Sequence, residues 1–181
     1  MRLTAIVKDY ISQHREKARC EVRYYMIQRS LEDAIRKATL SRLRSGKRHP
    51  HQRRIPLRVL QAAERRLQAN AGRLRTVKSF AELHDLIYRQ IKPVRGIGDL
   101  AVYDFAHRIG AYLRHAPEAV YLHAGTREGA RVLNLGGETV DLSQLPAELR
   151  KLSAAEIEDC LCIYRDALCG QELRVETRTL C

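Results

Sequence analysis

An all-α fold is what this sequence predicts. Apolar residues recur at helical spacing through most of the chain, and strand-period alternation is scarce. Several helical stretches also open on Ser with an acidic residue three positions later, a start signal for a helix: Ser30 with Asp33, Ser79 with Glu82 and Ser153 with Glu156. In chain order, residues from about Ala5 to Leu40 read as helix-rich. "SRLRSGKRHPHQRRIPLR", Ser41 to Arg58, holds two prolines, one glycine and seven Lys/Arg, and so reads as a connecting loop. Pro56 suits the first turn of the next helix, whose apolar side is Leu57, Leu60, Ala63, Leu67 and Leu74. "FAELHDLIYRQI" follows, with Leu83, Leu86, Ile87 and Ile91 on one face. Beyond a sharp break, Val102, Phe105, Ile109 and Leu113 define another helix.

Toward the C-terminus, Thr126 is the expected cap of a further helix that Gly136 and Gly137 end. Ile157, Leu161, Tyr164 and Leu168 line one side of the helix begun by Ser153. The tail "GQELRVETRTLC" either frays or adds a short strand. The expected organisation is a single all-α domain over 1–181, in one or two helical lobes. It comprises a basic helical half (1–78), a helical hairpin (79–113) and C-terminal helices (114–170).

A chain of 181 residues suffices for one domain burying roughly 70% of its unfolded surface. With 45% hydrophobic and 30% charged residues it is globular rather than disordered. No apolar run reaches the roughly 18–20 residues that cross a bilayer, and no basic segment has an obvious large aromatic-rich apolar face, so no membrane partner is expected. "MRLTAIVKDYISQHREK" meets charge too soon for a secretory signal, which points to the cytoplasm. The five cysteines, Cys20, Cys160, Cys162, Cys169 and Cys181, do not have metal-clip spacing and read as buried thiols. Neither a metal nor a cofactor is implied.

Charge is sharply divided. Residues 1–95 carry 24 Lys+Arg against 8 Asp+Glu, a net of +16; residues 96–181 carry 9 against 13, a net of −4. Such concentration suits a surface that meets a polyanion, nucleic acid above all. It also suits a merely solvated basic face, or a basic half that pairs with the acidic one. Lys47, Arg48, Arg53 and Arg54, with His49 and His51, crowd the loop. Two readings fit: an ordered loop lying against phosphates, or a solvated connector.

The break at "KPVRGIGDLAVYDF" has a physical rationale. Gly96 and Gly98 tolerate backbone angles closed to other residues and allow another backbone close. Ile97 between them turns inward as an anchor. Amides near Gly96, Gly98 and Asp99, at a helix start, then face a phosphate oxygen, with Lys92 and Arg95 adding attraction. A tight interhelical turn packed on protein is the alternative, and Asp99, which suits either a cap or that turn, is unfavourable beside a phosphate.

From Ser79 to Leu113 the pattern of apolar helix, "VRGIGDLA" and second helix resembles the helix-hairpin-helix motif of DNA-binding proteins. Over roughly Ser79 to Leu135, about a third of the chain, it is similar to the helix-hairpin-helix DNA glycosylase superfamily, with Pro117, Val120, His123 and Val132-Leu133 of "PEAVYLHAGTREGARVLNL" at comparable places. The resemblance implies an aspartate where this chain has Tyr121, and, in bifunctional members, a lysine where it has Leu100. Both chemical groups are missing while the phosphate-gripping frame is kept. Glu118 and Asp104 are the carboxylates left as substitutes, and Tyr121 and His123 the remaining catalytic candidates. Asp104 also reads as an i,i+4 ion pair with Arg108 on a solvated face. A pocket, if present, is expected at Tyr121, His123, Thr126 and Arg127.

The expected function is a DNA-binding protein, DNA favoured over RNA, gripping backbone phosphate without the usual glycosylase chemistry. The binding residues would be Lys92, Arg95, Gly96, Gly98, Lys47, Arg48, Arg53 and Arg54. Whether the chain is an enzyme stays open. The alternatives are a divergent base-excision glycosylase acting on a flipped base and a protein-interaction module that binds no nucleic acid.

Overall fold

A computed structural model of the chain describes residues 2–170; the tail strand considered above and Cys181 lie outside the described residues. Among the described residues the fold is predominantly helical, in the all-α class, with one small two-stranded ribbon. No helix among them is long and apolar enough to cross a membrane. The described chain divides into two compact units: Cys20–Ala116 forms one, and the segment up to Arg19 joins the described chain from Pro117 in the other.

The unit Cys20–Ala116 holds most of α2 (Arg15–Met26), then α3 (Leu31–Thr39), the basic loop, α4 (Leu57–Ala69), the short α5 (Ala71–Leu74), α6 (Phe80–Ile91) and α7 (Asp99–Leu113). Ser30 caps α3 by accepting the Asp33 amide at 3.1 Å, and Ser79 caps α6 by accepting the Glu82 amide at 3.1 Å. The helices pack through the faces expected from their periodicity. Leu60, Ala63 and Leu67 of α4, Leu83, Ile87 and Ile91 of α6, and Val102, Phe105 and Ile109 of α7 are all buried. Leu57, at the exposed start of α4, is not. Gly110 fits where a side chain cannot: a Cβ there would lie 2.5 Å from the His115 carbonyl, which folds back over the end of α7.

The other unit is built on α1 (Leu3–Gln13), a ribbon of β1 (Ala119–Tyr121) and β2 (Thr139–Asp141), α8 (Ala124–Val132), α9 (Ala154–Ile163) and α10 (Arg165–Leu168). The strands are antiparallel, with Val120 opposite Val140, and both valines enter a core with Ile6, Tyr10, Leu149, Ile157 and Leu161. Ser153 and Glu156 make the full reciprocal capping box of α9. Gly129 lets α8 and α9 meet at backbone distance; a Cβ there would stand 2.5 Å from the Leu161 carbonyl.

Several local expectations are revised. His123, not Thr126, occupies the cap position of α8; Thr126 lies in the first turn, buried, its hydroxyl bonded to Glu158. That helix ends at Val132, before the glycines; Asn134 is left-handed, and Gly137 (φ +102°) turns the chain into β2. The buried-thiol reading holds for Cys160, whose thiol burial pushes up to about 12, but Cys20 and Cys162 are half-buried and Cys169 is exposed.

Candidate nucleic-acid interface

α6 and α7 are joined by the turn 92–98, and the side chains there divide by position. Ile97 points in, only 6% exposed, while Arg95, Gly96, Gly98 and Asp99 are exposed. The Ile97 amide is taken by the Val94 carbonyl at 3.0 Å. Among the described residues, the amides of Gly96, Gly98, Asp99 and Leu100 have no hydrogen-bond acceptor. The last three belong to the cap and first turn of α7, where an α-helix has no internal partner for its N–H groups and its dipole is positive.

Gly96 sits at φ +102°, a left-handed conformation that favours glycine, with Val59 Cγ1 only 3.4 Å from where a Cβ would be. The first turn of α4 therefore lies against the hairpin. Gly98, by contrast, has an ordinary backbone and open space around its missing Cβ. One glycine shapes the turn and the other leaves the helix start unobstructed.

Asp99 is the first residue of α7 rather than its cap, and its carboxylate forms an ion pair with Lys92. Lys92 also lies 5.6 Å from the centroid of the Tyr88 ring. Lys92 is thus engaged locally, neutralising the carboxylate that would otherwise repel an anion, and Arg95 is the cation left exposed beside the turn.

The basic loop is ordered by its own hydrogen bonds. Leu43 N donates to Lys47 O at 2.9 Å, Gly46 turns the chain at φ +77°, and His49 N donates to Ser41 O at 2.8 Å. Arg48 serves this architecture: half-buried, it donates to the carbonyls of Ile55 at 2.9 Å and Arg53 at 3.1 Å. Lys47, Arg53 and Arg54 are exposed and pair with no carboxylate among the described residues. Arg58 shares that exposure one residue before Val59, so it is a cation of the hairpin's surroundings that sequence reasoning missed. The signal was the helical position next to the loop, not the loop composition.

A buried polar cluster fastens this loop to α2 and α7. Arg108, 4% exposed, donates to Gln52 Oε1 at 3.3 Å, Ser41 Oγ at 3.4 Å and Glu21 Oε1 at 3.4 Å. Its guanidinium lies 5.7 Å from the Tyr25 ring centroid and 4.0 Å from Asp104 Oδ2. Gln52 also donates to Asp104, and His49 Nε2 lies 3.1 Å from Glu21 Oε2. The solvated-face reading of Asp104 and Arg108 is therefore overturned. α7 turns Arg108 inward, where the loop supplies neutral acceptors and α2 a carboxylate.

Burial opposes the charge on Glu21, but the His49 hydrogen bond and the charges of Arg108, His49 and His107 prevail and hold its carboxyl down to about 2. For His107, burial dominates and lowers its pKa below the usual imidazole value, against the pull of Glu21 and Asp104. Asp104 is engaged by Gln52 and lies beside Arg108 in this cluster.

The remaining catalytic candidates lie in the other unit. Glu118 is exposed. Burial, with the Glu118 charge adding to it, raises the Tyr121 phenol, so it stays neutral. His123 is buried, its Nε2 3.7 Å from Glu158 Oε1, and Thr126 donates to the same oxygen at 2.6 Å. Arg127 donates to the Leu122 carbonyl at 2.7 Å. Glu158 was not foreseen, because only the pairing of α8 with α9 brings it to His123. His123, Glu158 and Thr126 thus meet where α8 and α9 approach closely at Gly129. Among the described residues no set of three His, Cys, Asp or Glu side chains is arranged to hold a metal ion.

Comparison with known proteins returns nothing: no protein-family model, no curated protein and no solved structure matches this chain.

Proposed function

We propose that this protein binds nucleic acid, DNA in preference to RNA, by gripping backbone phosphate at the turn between α6 and α7. The resemblance to the helix-hairpin-helix of DNA glycosylases is part of this reading, and so is the loss of that family's chemistry at Leu100 and Tyr121. The observation that carries it is the open start of α7: Gly98, Asp99 and Leu100 amides without acceptors among the described residues, on an exposed turn anchored from within by Ile97. A phosphate oxygen placed there would accept from several N–H groups at the positive end of a fifteen-residue helix. Arg95, Arg58, Arg54, Arg53 and Lys47 supply longer-range attraction. These contacts address the phosphodiester, so sequence preference is weak.

Gly98→Asp tests this with fold and binding moving in opposite directions. An aspartate at the cap position accepts the Leu100 amide from within and helps the helix by a few tenths of a kcal/mol. It also places a second carboxylate where the phosphate would sit. The expected result is an unfolding midpoint that holds or rises, with duplex affinity in fluorescence anisotropy falling about tenfold or more. Unchanged affinity with the fold intact contradicts the reading.

A further inference from the structure

Away from the hairpin turn, the end of α2, the C-terminal half of α3 and the start of the basic loop line an open, shallow cleft of about 390 Å³. Its walls carry Arg36, Lys37, Arg42 and Arg44, together with Tyr24 and the turn at Gly46. Arg36 and Lys37 share one carboxylate, Asp33, at 2.7 and 3.0 Å. Arg42 donates to the Gly46 carbonyl at 2.8 Å, which holds the turn closed, and Arg44 is exposed and pairs with no carboxylate among the described residues. Four cations against a single nearby carboxylate leave the cleft strongly positive.

Beside this charge lies an aromatic surface. Lys37 Nζ is 5.6 Å from the centroid of the Tyr24 ring, and Tyr25 meets that ring edge-on at 5.1 Å, fixing its plane. Leu40 and Leu43 continue the apolar wall. The volume is at the lower end of the roughly 300–1,000 Å³ typical of small-molecule sites and exceeds what a bare oxyanion needs. A ligand suited to these walls has an anionic group at one end and a flat ring at the other.

We infer that this cleft binds a nucleoside monophosphate, either free or as the terminal residue of a strand. Arg42 and Arg44 take the phosphate, and the base lies against Tyr24. This goes beyond the hairpin reading and shares no residue with it, so each can fail alone.

Isothermal titration of the full chain with adenosine 5′-monophosphate, adenosine and inorganic phosphate tests the site. The monophosphate is expected to bind about tenfold or more tighter than either fragment. Arg44→Ala, at an exposed unpaired position, weakens the monophosphate and phosphate alike by roughly tenfold. Tyr24→Leu weakens the monophosphate to the level of phosphate and leaves phosphate itself unchanged, with circular dichroism confirming the fold in each variant. A monophosphate that binds no tighter than phosphate, or that is indifferent to both changes, overturns the inference. Competition by 5′-phosphorylated against 5′-hydroxyl oligonucleotides identifies the source: a competitor advantage for the phosphorylated strand supports a strand end, and its absence supports a free nucleotide. Loss of monophosphate binding with salt-sensitive duplex binding intact would remove this site and leave the hairpin reading standing.

Discussion

Arg95, in the turn before α7, and Arg108, within that helix, belong to different chemistries. Arg108 is sealed into a cluster where Gln52, Ser41 and Glu21 take its donors and Tyr25 covers its face. Arg95 stands in solvent beside a turn where, among the described residues, the amides of Gly96, Gly98, Asp99 and Leu100 have no acceptor. The same side chain thus holds the fold together in one place and stands exposed in the other. The lesson concerns charge counting: the surplus of the N-terminal half includes residues such as Arg48 and Lys92 that are already engaged within the protein. Only the exposed remainder can meet a polyanion.

The largest effect expected from breaking this contrast is at the buried end. Arg108→Met leaves Glu21 and Asp104 without their cation, and removal of one partner from a buried pair destabilises by about 3–5 kcal/mol. Urea denaturation measures it. Adding Glu21→Gln should recover part of the loss, whereas strict additivity of the two changes would mean the residues are uncoupled.

Acid attacks the same cluster. With Glu21 held near 2 in the folded protein against an ordinary value near 4.5, its contribution is complete above that ordinary value and fades as the pH falls toward 2. The amount is roughly 3 kcal/mol. His107 acts in the same direction at higher pH. Its lowered folded pKa makes stability decline as pH falls below the ordinary value of about 6.5. Denaturation midpoints between pH 7 and pH 3 should fall for the native chain and more shallowly for Glu21→Gln.

The turn itself lies between the extremes. Gly96→Ala forces a side chain into a left-handed backbone beside Val59 and should cost about 1–2 kcal/mol. The smallest stability effect is at the exposed end: Arg95→Ala stays within about 0.5 kcal/mol. In that variant the slope of log affinity against log salt, measured on a duplex, should shrink in magnitude by about 0.9.

Local chemistry made much of the scaffold legible. The Ser30, Ser79 and Ser153 caps, the apolar faces of α4, α6, α7 and α9, and the inward Ile97 all follow from short-range rules. What escaped the sequence depends on distant partners. The ribbon pairs two three-residue strands separated by a helix, too short to show a period. Glu21 meets Arg108 only because α2 and α7 pack with the loop between them. Thr126 looked like a cap until α9 offered Glu158. The exposed glycine turn was visible in sequence, but the engagement of Lys92 by Asp99 and the exposure of Arg58 needed side-chain positions.

The most direct measurement follows the backbone amides themselves. In an ¹⁵N-labelled sample titrated with a short DNA duplex, the resonances of Gly98, Asp99 and Leu100 should shift together, saturating at the concentration set by anisotropy. Saturable duplex binding that moves amides elsewhere and leaves these three in place would contradict the account.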